Sequence, residues 1–184
     1  GFPIGNTTFA ISEKDIGIGS LWEYTENLTL QNRFYTVGVS LVGYKTVTVL
    51  AAPKNNREKR YLQIRGTSPS LGASFDVDLG VIANVSEGVK ASIRSRSDGS
   101  YLCKATLPAD SSTIVVGIQA FTSVTGGLYA GDGFSGLMLG LLQMFDGTVA
   151  HSPIVTNDAP ATRPADKLLK TGMLEHINPD FFTI

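Results

Sequence analysis

The feature that most limits what this chain can fold into is an alternation of apolar and polar residues with a period of two. It recurs through the first two thirds of the sequence. In Lys45–Ala52, Val47, Val49 and Ala51 alternate with Thr46, Thr48 and Leu50. In Tyr61–Arg65, Leu62 and Ile64 alternate with Tyr61, Gln63 and Arg65. Val89, Ala91 and Ile93 alternate with Lys90, Ser92, Arg94 and Arg96, and Phe75, Val77 and Leu79 with Asp76 and Asp78. A helix buries positions three and four apart; strict alternation specifies half-buried strands. Val, Thr, Tyr and Phe dominate these runs, as a pleated surface favours. Turn signals separate them: the polar stretch AAPKNNREKR, the Pro69–Gly72 region and Asp98-Gly99, a strong short-range hairpin signal. The stretch from Ser111 to Ser123 is the most apolar and is expected inside a sheet.

The pattern changes after Gly126. Phe134, Leu137, Met138, Leu141, Leu142 and Phe145 recur at helical spacing, with Asp132 placed to cap the start and Gly147 the end. The spacing predicts a helix there, in spite of Gly136 and Gly140. A second short helix is predicted from Asp166 to His176, with Leu168, Leu169, Met173 and Leu174 inward. Strands followed by helices give an α+β fold: an antiparallel β-sheet with an N-terminal hairpin and one or two C-terminal helices. The 184 residues suit a single domain, with strands over 1–44, a central sheet over 45–125, and helices and tail over 126–184.

Composition removes several classes of function. With 42% hydrophobic and 17% charged residues and a net charge of −1, the chain is neither disordered nor a polycation. No apolar stretch approaches the ~18 residues that a membrane helix needs. One cysteine, Cys103, excludes an intrachain disulfide and a thiolate zinc cage, and two histidines leave little for a metal site or triad. The sequence begins Gly-Phe-Pro-Ile, without the basic and apolar regions of a signal peptide.

The catalytic candidates are weak. Asp76 and Asp78 share a strand face and read as a solvated surface. His151 beside Ser152 lacks the arrangement of a nucleophile and base, and Cys103 reads as a small buried hydrophobe. GDGFSGLMLG lacks the lysine of a phosphate loop. The chain is expected to be no enzyme and to need no cofactor. Asn6, Asn27 and Asn84 each begin an Asn-x-Ser/Thr sequon.

Nine of the fifteen Lys and Arg residues lie between Lys54 and Lys104, against five acids. Lys90, Arg94 and Arg96 fall on the polar face of one strand, and Gln63 and Arg65 on that of another. Such a face can meet RNA, with cations neutralising phosphates and Tyr stacking on unpaired bases.

The order strand (KTVTVLAAP), basic Asn-rich turn (KNNREKR), strand (YLQIR) resembles the central hairpin of levivirus-type single-stranded RNA bacteriophage coat proteins. SSTIVVGIQAFTS resembles the last sheet strand of that family, LMLGLLQMFDGTVAHSPIVTN the helix after it, and NPDFF its Asn-Pro-aromatic ending. The resemblance implies a coat protein of the virion that forms a helix-exchanging homodimer, assembles into an icosahedral shell and binds single-stranded RNA, with no membrane partner. It also implies RNA-binding residues at the matching positions Thr46, Thr48, Asn55, Arg57, Lys59, Tyr61, Gln63 and Arg65. Lys90, Arg94 and Arg96 join them from the face argument. The chain is longer than usual for that family, in its first forty residues, around Ser68–Glu87 and in a Pro-rich connector. Two other readings fit the strand pattern: a secreted or surface β-sandwich that binds carbohydrate, motivated by the sequons and Gly-rich strands, and a jelly-roll capsid subunit of an unrelated virus.

Overall fold

The computed structural model describes residues 7–15, 20–28, 33–40, 43–54, 56–66, 71–108 and 113–150. Eleven strands account for most of them: β1 (Thr7–Asp15), β2 (Ser20–Glu26), β3 (Arg33–Ser40), β4 (Lys45–Ala52), β5 (Tyr61–Gly66), β6 (Gly72–Asp76), β7 (Val81–Val85), β8 (Lys90–Ser95), β9 (Tyr101–Leu107), β10 (Thr113–Phe121) and β11 (Gly136–Asp146). They form two antiparallel sheets, one ordered β1-β2-β11-β4-β9-β8 and the other β3-β10-β5-β6-β7. The chain alternates between sheets along β2 to β5 and again from β9 to β11. The two arms run antiparallel, so that β2 meets β11, β3 meets β10 and β4 meets β9. A long hairpin rolled up in this way is a jelly roll, with β1, β7 and β8 added at sheet edges.

The apolar sides of the alternating strands meet between the sheets. Val47, Val49, Ala51, Cys103, Ala105, Leu137 and Leu139 come from the six-stranded sheet; Leu62, Ile64, Ala73, Phe75, Ile118 and Ala120 come from the other. Each large side chain buried there contributes ~1.5–3 kcal/mol of transfer free energy. A smaller cluster of Leu21, Leu50 and Ala52 lies on the opposite face of the six-stranded sheet.

Three expectations are overturned: the fold class, the first helix and the central hairpin. The α+β assignment fails because the described residues are all-β, and the helix predicted across Phe134–Phe145 is strand β11, paired with β2 and β4. A bulge between Gly140 and Gln143 explains the deceptive spacing. Leu137 and Leu139 face the core; the bulge, with Leu141 at a φ of 44°, then shifts the parity so that Leu142 and Met144 face it. Met138 and Leu141 pack on the other face. A two-faced apolar strand with one extra residue thus imitates a period between three and four. Asp132 does accept capping hydrogen bonds, from the Phe134 and Ser135 amides, but the turn it closes leads into a strand. Gly147, at a φ of 84°, ends that strand. The helix-exchanging arrangement loses the first of the two helices it was expected to use. The second predicted helix, Asp166–His176, lies outside the described residues.

The central hairpin is also absent. β4 lies in one sheet and β5 in the other, so KNNREKR connects sheets instead of tipping a hairpin. The Asp98-Gly99 hairpin is present: Gly99, at a φ of 78°, turns β8 into β9. β10 sits between β3 and β5, inside its sheet.

Candidate binding groove

The KNNREKR connector is basic because it clasps one end of the sandwich. Arg60 is only 1% exposed and is the largest fully buried side chain among the described residues. Its Nε donates to Glu26 Oε2 at 2.8 Å and its Nη2 to Glu26 Oε1. Nη1 donates to the Lys59 carbonyl at 3.1 Å and to Glu58 at 3.3 Å. The Tyr129 ring lies 5.1 Å from the guanidinium, and its hydroxyl donates to Glu26 Oε2 at 2.9 Å. Glu26 Oε1 also accepts from the Asp132 amide at 2.9 Å. Burial alone would weaken the hold of Arg60 on its proton, but the Glu26 carboxylate raises it above its ordinary value. Burial and the charge of Glu26 push the Tyr129 phenol well above the usual range. The cluster ties together β2, the β4–β5 connector and the β10–β11 loop.

The same connector is stitched to the segment that enters β11. The Asn56 amide donates to the Gly136 carbonyl at 3.0 Å and accepts from the Gly136 amide at 2.9 Å. The Arg57 amide donates to Ser135 Oγ at 3.2 Å. Gly136 has to be glycine, because a Cβ there would overlap the Tyr24 carbonyl. Asp132 accepts from the Phe134 amide at 2.8 Å and from the Ser135 amide and hydroxyl. Burial would raise its pKa, yet these hydrogen bonds hold the carboxyl well below the usual range.

Beside this clasp an open groove of about 410 Å³ is lined by Glu23, Thr25, Pro53, Lys54, Gly133, Phe134 and Met138. Lys54 Nζ donates to Thr25 Oγ1 at 2.6 Å and to the Phe134 carbonyl at 2.8 Å, and pairs with Glu23 at 3.0 Å. All three of its protons are thereby used, which fixes the Glu23 carboxylate at the groove wall. Phe134 is 41% exposed, with Arg57 Cζ 4.7 Å and Lys54 Nζ 5.7 Å from its ring centre. Glu23, Phe134, Glu26, Tyr129 and Asp132 were not legible as a group, since their partners lie up to 106 residues apart and no local pattern marks them.

The eleven RNA-binding candidates do not form one surface. Thr46 and Thr48 are buried in β4, and the Thr46 hydroxyl donates to the Gly147 carbonyl at 2.8 Å. Asn55 lies outside the described residues. Arg57 sits at the groove rim. Lys59 pairs with Asp76 at 2.7 Å, and that hydrogen bond raises its pKa. Tyr61, Gln63 and Arg65 share the outer face of the other sheet, where Gln63 is buried and donates to Ser74 Oγ at 3.0 Å. Lys90 and Arg94 are exposed on β8, while Arg96 pairs with Asp98 at 3.4 Å. Asp76, expected on a solvated face, is buried; it accepts from the Asp78 and Leu79 amides and closes the turn after β6.

Cys103 is buried, and burial pushes its thiol pKa up to about 12, as befits a core residue. Among the described residues no three His, Cys, Asp or Glu side chains converge as a metal would require. Of the sequons, Asn84 is exposed on β7, Asn27 is half-buried after β2, and Asn6 lies outside the described residues. In comparisons with known proteins, the chain matches no family model and no curated sequence.

Proposed function

We propose that this chain is a β-sandwich binding module that takes carbohydrate in the Glu23–Phe134 groove. The lining of that groove is the observation that carries the proposal: an exposed aromatic ring beside a carboxylate held in place by an ammonium. A sugar ring has an apolar C–H face, which suits Phe134, and hydroxyl groups, which suit the acceptor oxygens of Glu23. The groove volume of about 410 Å³ is in the range of small-ligand sites. Jelly rolls serve as lectin domains as well as capsid shells, so the fold is compatible with the reading without deciding it. The test is binding of the purified protein to an array of neutral glycans, repeated with Phe134→Ala and Glu23→Gln. Retention of specific glycans by the wild type, weakened about tenfold by loss of the ring contact, is expected. No retention, or retention unchanged by both substitutions, would refute it.

A second reading, a jelly-roll shell subunit, draws on strand β7. This edge strand carries exposed Val81, Ile82 and Val85 and has no charged residue or proline between Val81 and Val85. Such an edge invites another strand. Electron microscopy and size exclusion at rising concentration test it: particles that Ile82→Lys prevents would favour a shell, and a persistent monomer would sink it. RNA binding by a single sheet face has less support, because its candidate residues are divided between two sheets and the connector. Nucleic-acid absorbance in the same preparations tests it directly.

A further inference from the structure

We infer that the outer face of the β8–β9 hairpin is a binding surface for a linear anionic polysaccharide, separate from the groove. Ala91, Ile93, Cys103 and Ala105 turn towards the core, which leaves Lys90, Ser92 and Arg94 of β8 and Leu102, Lys104 and Thr106 of β9 on the other face, where Thr106 is itself buried against Thr46. The register pairs Lys90 with Thr106, Ser92 with Lys104 and Arg94 with Leu102. Lys104 therefore sits beside the midpoint between Lys90 and Arg94. Outward positions recur every ~6.7 Å along a strand, so the three cations form a row with that step. Lys90 and Arg94 are exposed and Lys104 half-buried, and none of the three head groups has an acceptor among the described residues. Arg96, by contrast, is taken by Asp98.

The contrast with the rest of the molecule gives this row its meaning. Of the four connector cations, Lys54, Lys59 and Arg60 have carboxylate partners and Arg57 lies against the Phe134 ring. The hairpin from Lys90 to Leu107 carries four bases against one acid, in a chain whose net charge is −1. Three like charges held side by side on a rigid hairpin repel one another, and a polymer with an anionic group on each unit relieves that repulsion. Single-stranded RNA is the less suitable polyanion. Its recognition uses aromatic platforms for unstacked bases, and none of the six outward residues is aromatic. The hairpin's own Tyr101 packs against the core and Gly80.

Titration calorimetry of the full chain with heparin, polygalacturonate, poly(U) and neutral dextran, at 50 and 300 mM salt, tests the inference. Binding to heparin or polygalacturonate is expected, weaker at the higher salt. Lys90→Gln, Arg94→Gln and Lys104→Gln should each weaken it about fivefold and lower the log–log salt slope by about one. The triple variant should lose it while keeping the wild-type melting temperature and any neutral-glycan binding, so failure of this surface and failure of the groove are separately visible. Wild-type affinity in the folded triple variant, tighter binding to poly(U) than to either polysaccharide, or no binding by the wild type at 50 mM salt would overturn it.

Discussion

Removing the guanidinium of Arg60 is the sharpest test of how this sandwich is held closed. At 1% exposure the side chain donates to Glu26 through Nε and Nη2 and to Glu58 and the Lys59 carbonyl through Nη1. Arg60→Ala leaves the fully buried Glu26 carboxylate with only the Tyr129 hydroxyl and the Asp132 amide as donors. Breaking one partner out of a buried pair costs about 3–5 kcal/mol, because the remaining charge is buried without compensation. A domain's whole stability is about 5–15 kcal/mol, so the variant should unfold at a much lower urea concentration. Glu26→Gln alone should cost a similar amount. In Arg60→Ala/Glu26→Gln neither charge remains, so the combined loss should fall well below the sum of the single losses. Urea denaturation of the four proteins gives the coupling energy directly. Single variants within about 1 kcal/mol of wild type, or a double variant whose loss equals the sum of the single losses, would refute the reasoning.

Asp132, whose folded pKa is held below its ordinary 3.8 by hydrogen bonds from Ser135 and Phe134, contributes stability that is present above that value and lost as pH falls through the folded pKa; Asp132→Asn should flatten the decline in melting temperature below pH 4. Gly136→Ala should cost about 3 kcal/mol or more in urea denaturation, because the added Cβ collides with the Tyr24 carbonyl on the neighbouring strand. Cys103, with its thiol pushed up to about 12 by burial, should resist a thiol reagent at pH 8 until the protein is unfolded; rapid modification of the native protein would show that β9 is not in the core.

What the sequence revealed and what it concealed follow from the range of the interactions. Alternation exposed the strands and their inward residues, as with Leu62, Ile64, Ala91 and Ile93, because each strand reads its own two environments. It could not say which strand lay beside which. The Lys45–Ala52 and Tyr61–Arg65 runs look like one hairpin, yet every β4 residue from Thr46 to Ala52 is buried and the connector crosses to the other sheet. The charges of KNNREKR were plain; their partners Glu26, Asp76 and Asp132 lie far along the chain. β11 misled for a different reason, since a bulge in a strand with two apolar faces produces helical spacing. The groove could not be foreseen, because Glu23, Lys54 and Phe134 come from three separate segments that only the rolled-up topology brings together.

A nuclear magnetic resonance titration of the isotope-labelled chain with a panel of neutral oligosaccharides tests the strand β11 and the groove together. Extended-strand shifts over Gly136–Asp146 are expected, with ligand-induced changes concentrated at Glu23, Thr25, Lys54 and Gly133–Met138. Helical shifts over Gly136–Asp146 would contradict the strand, and ligand-induced changes located away from the groove would contradict the binding site.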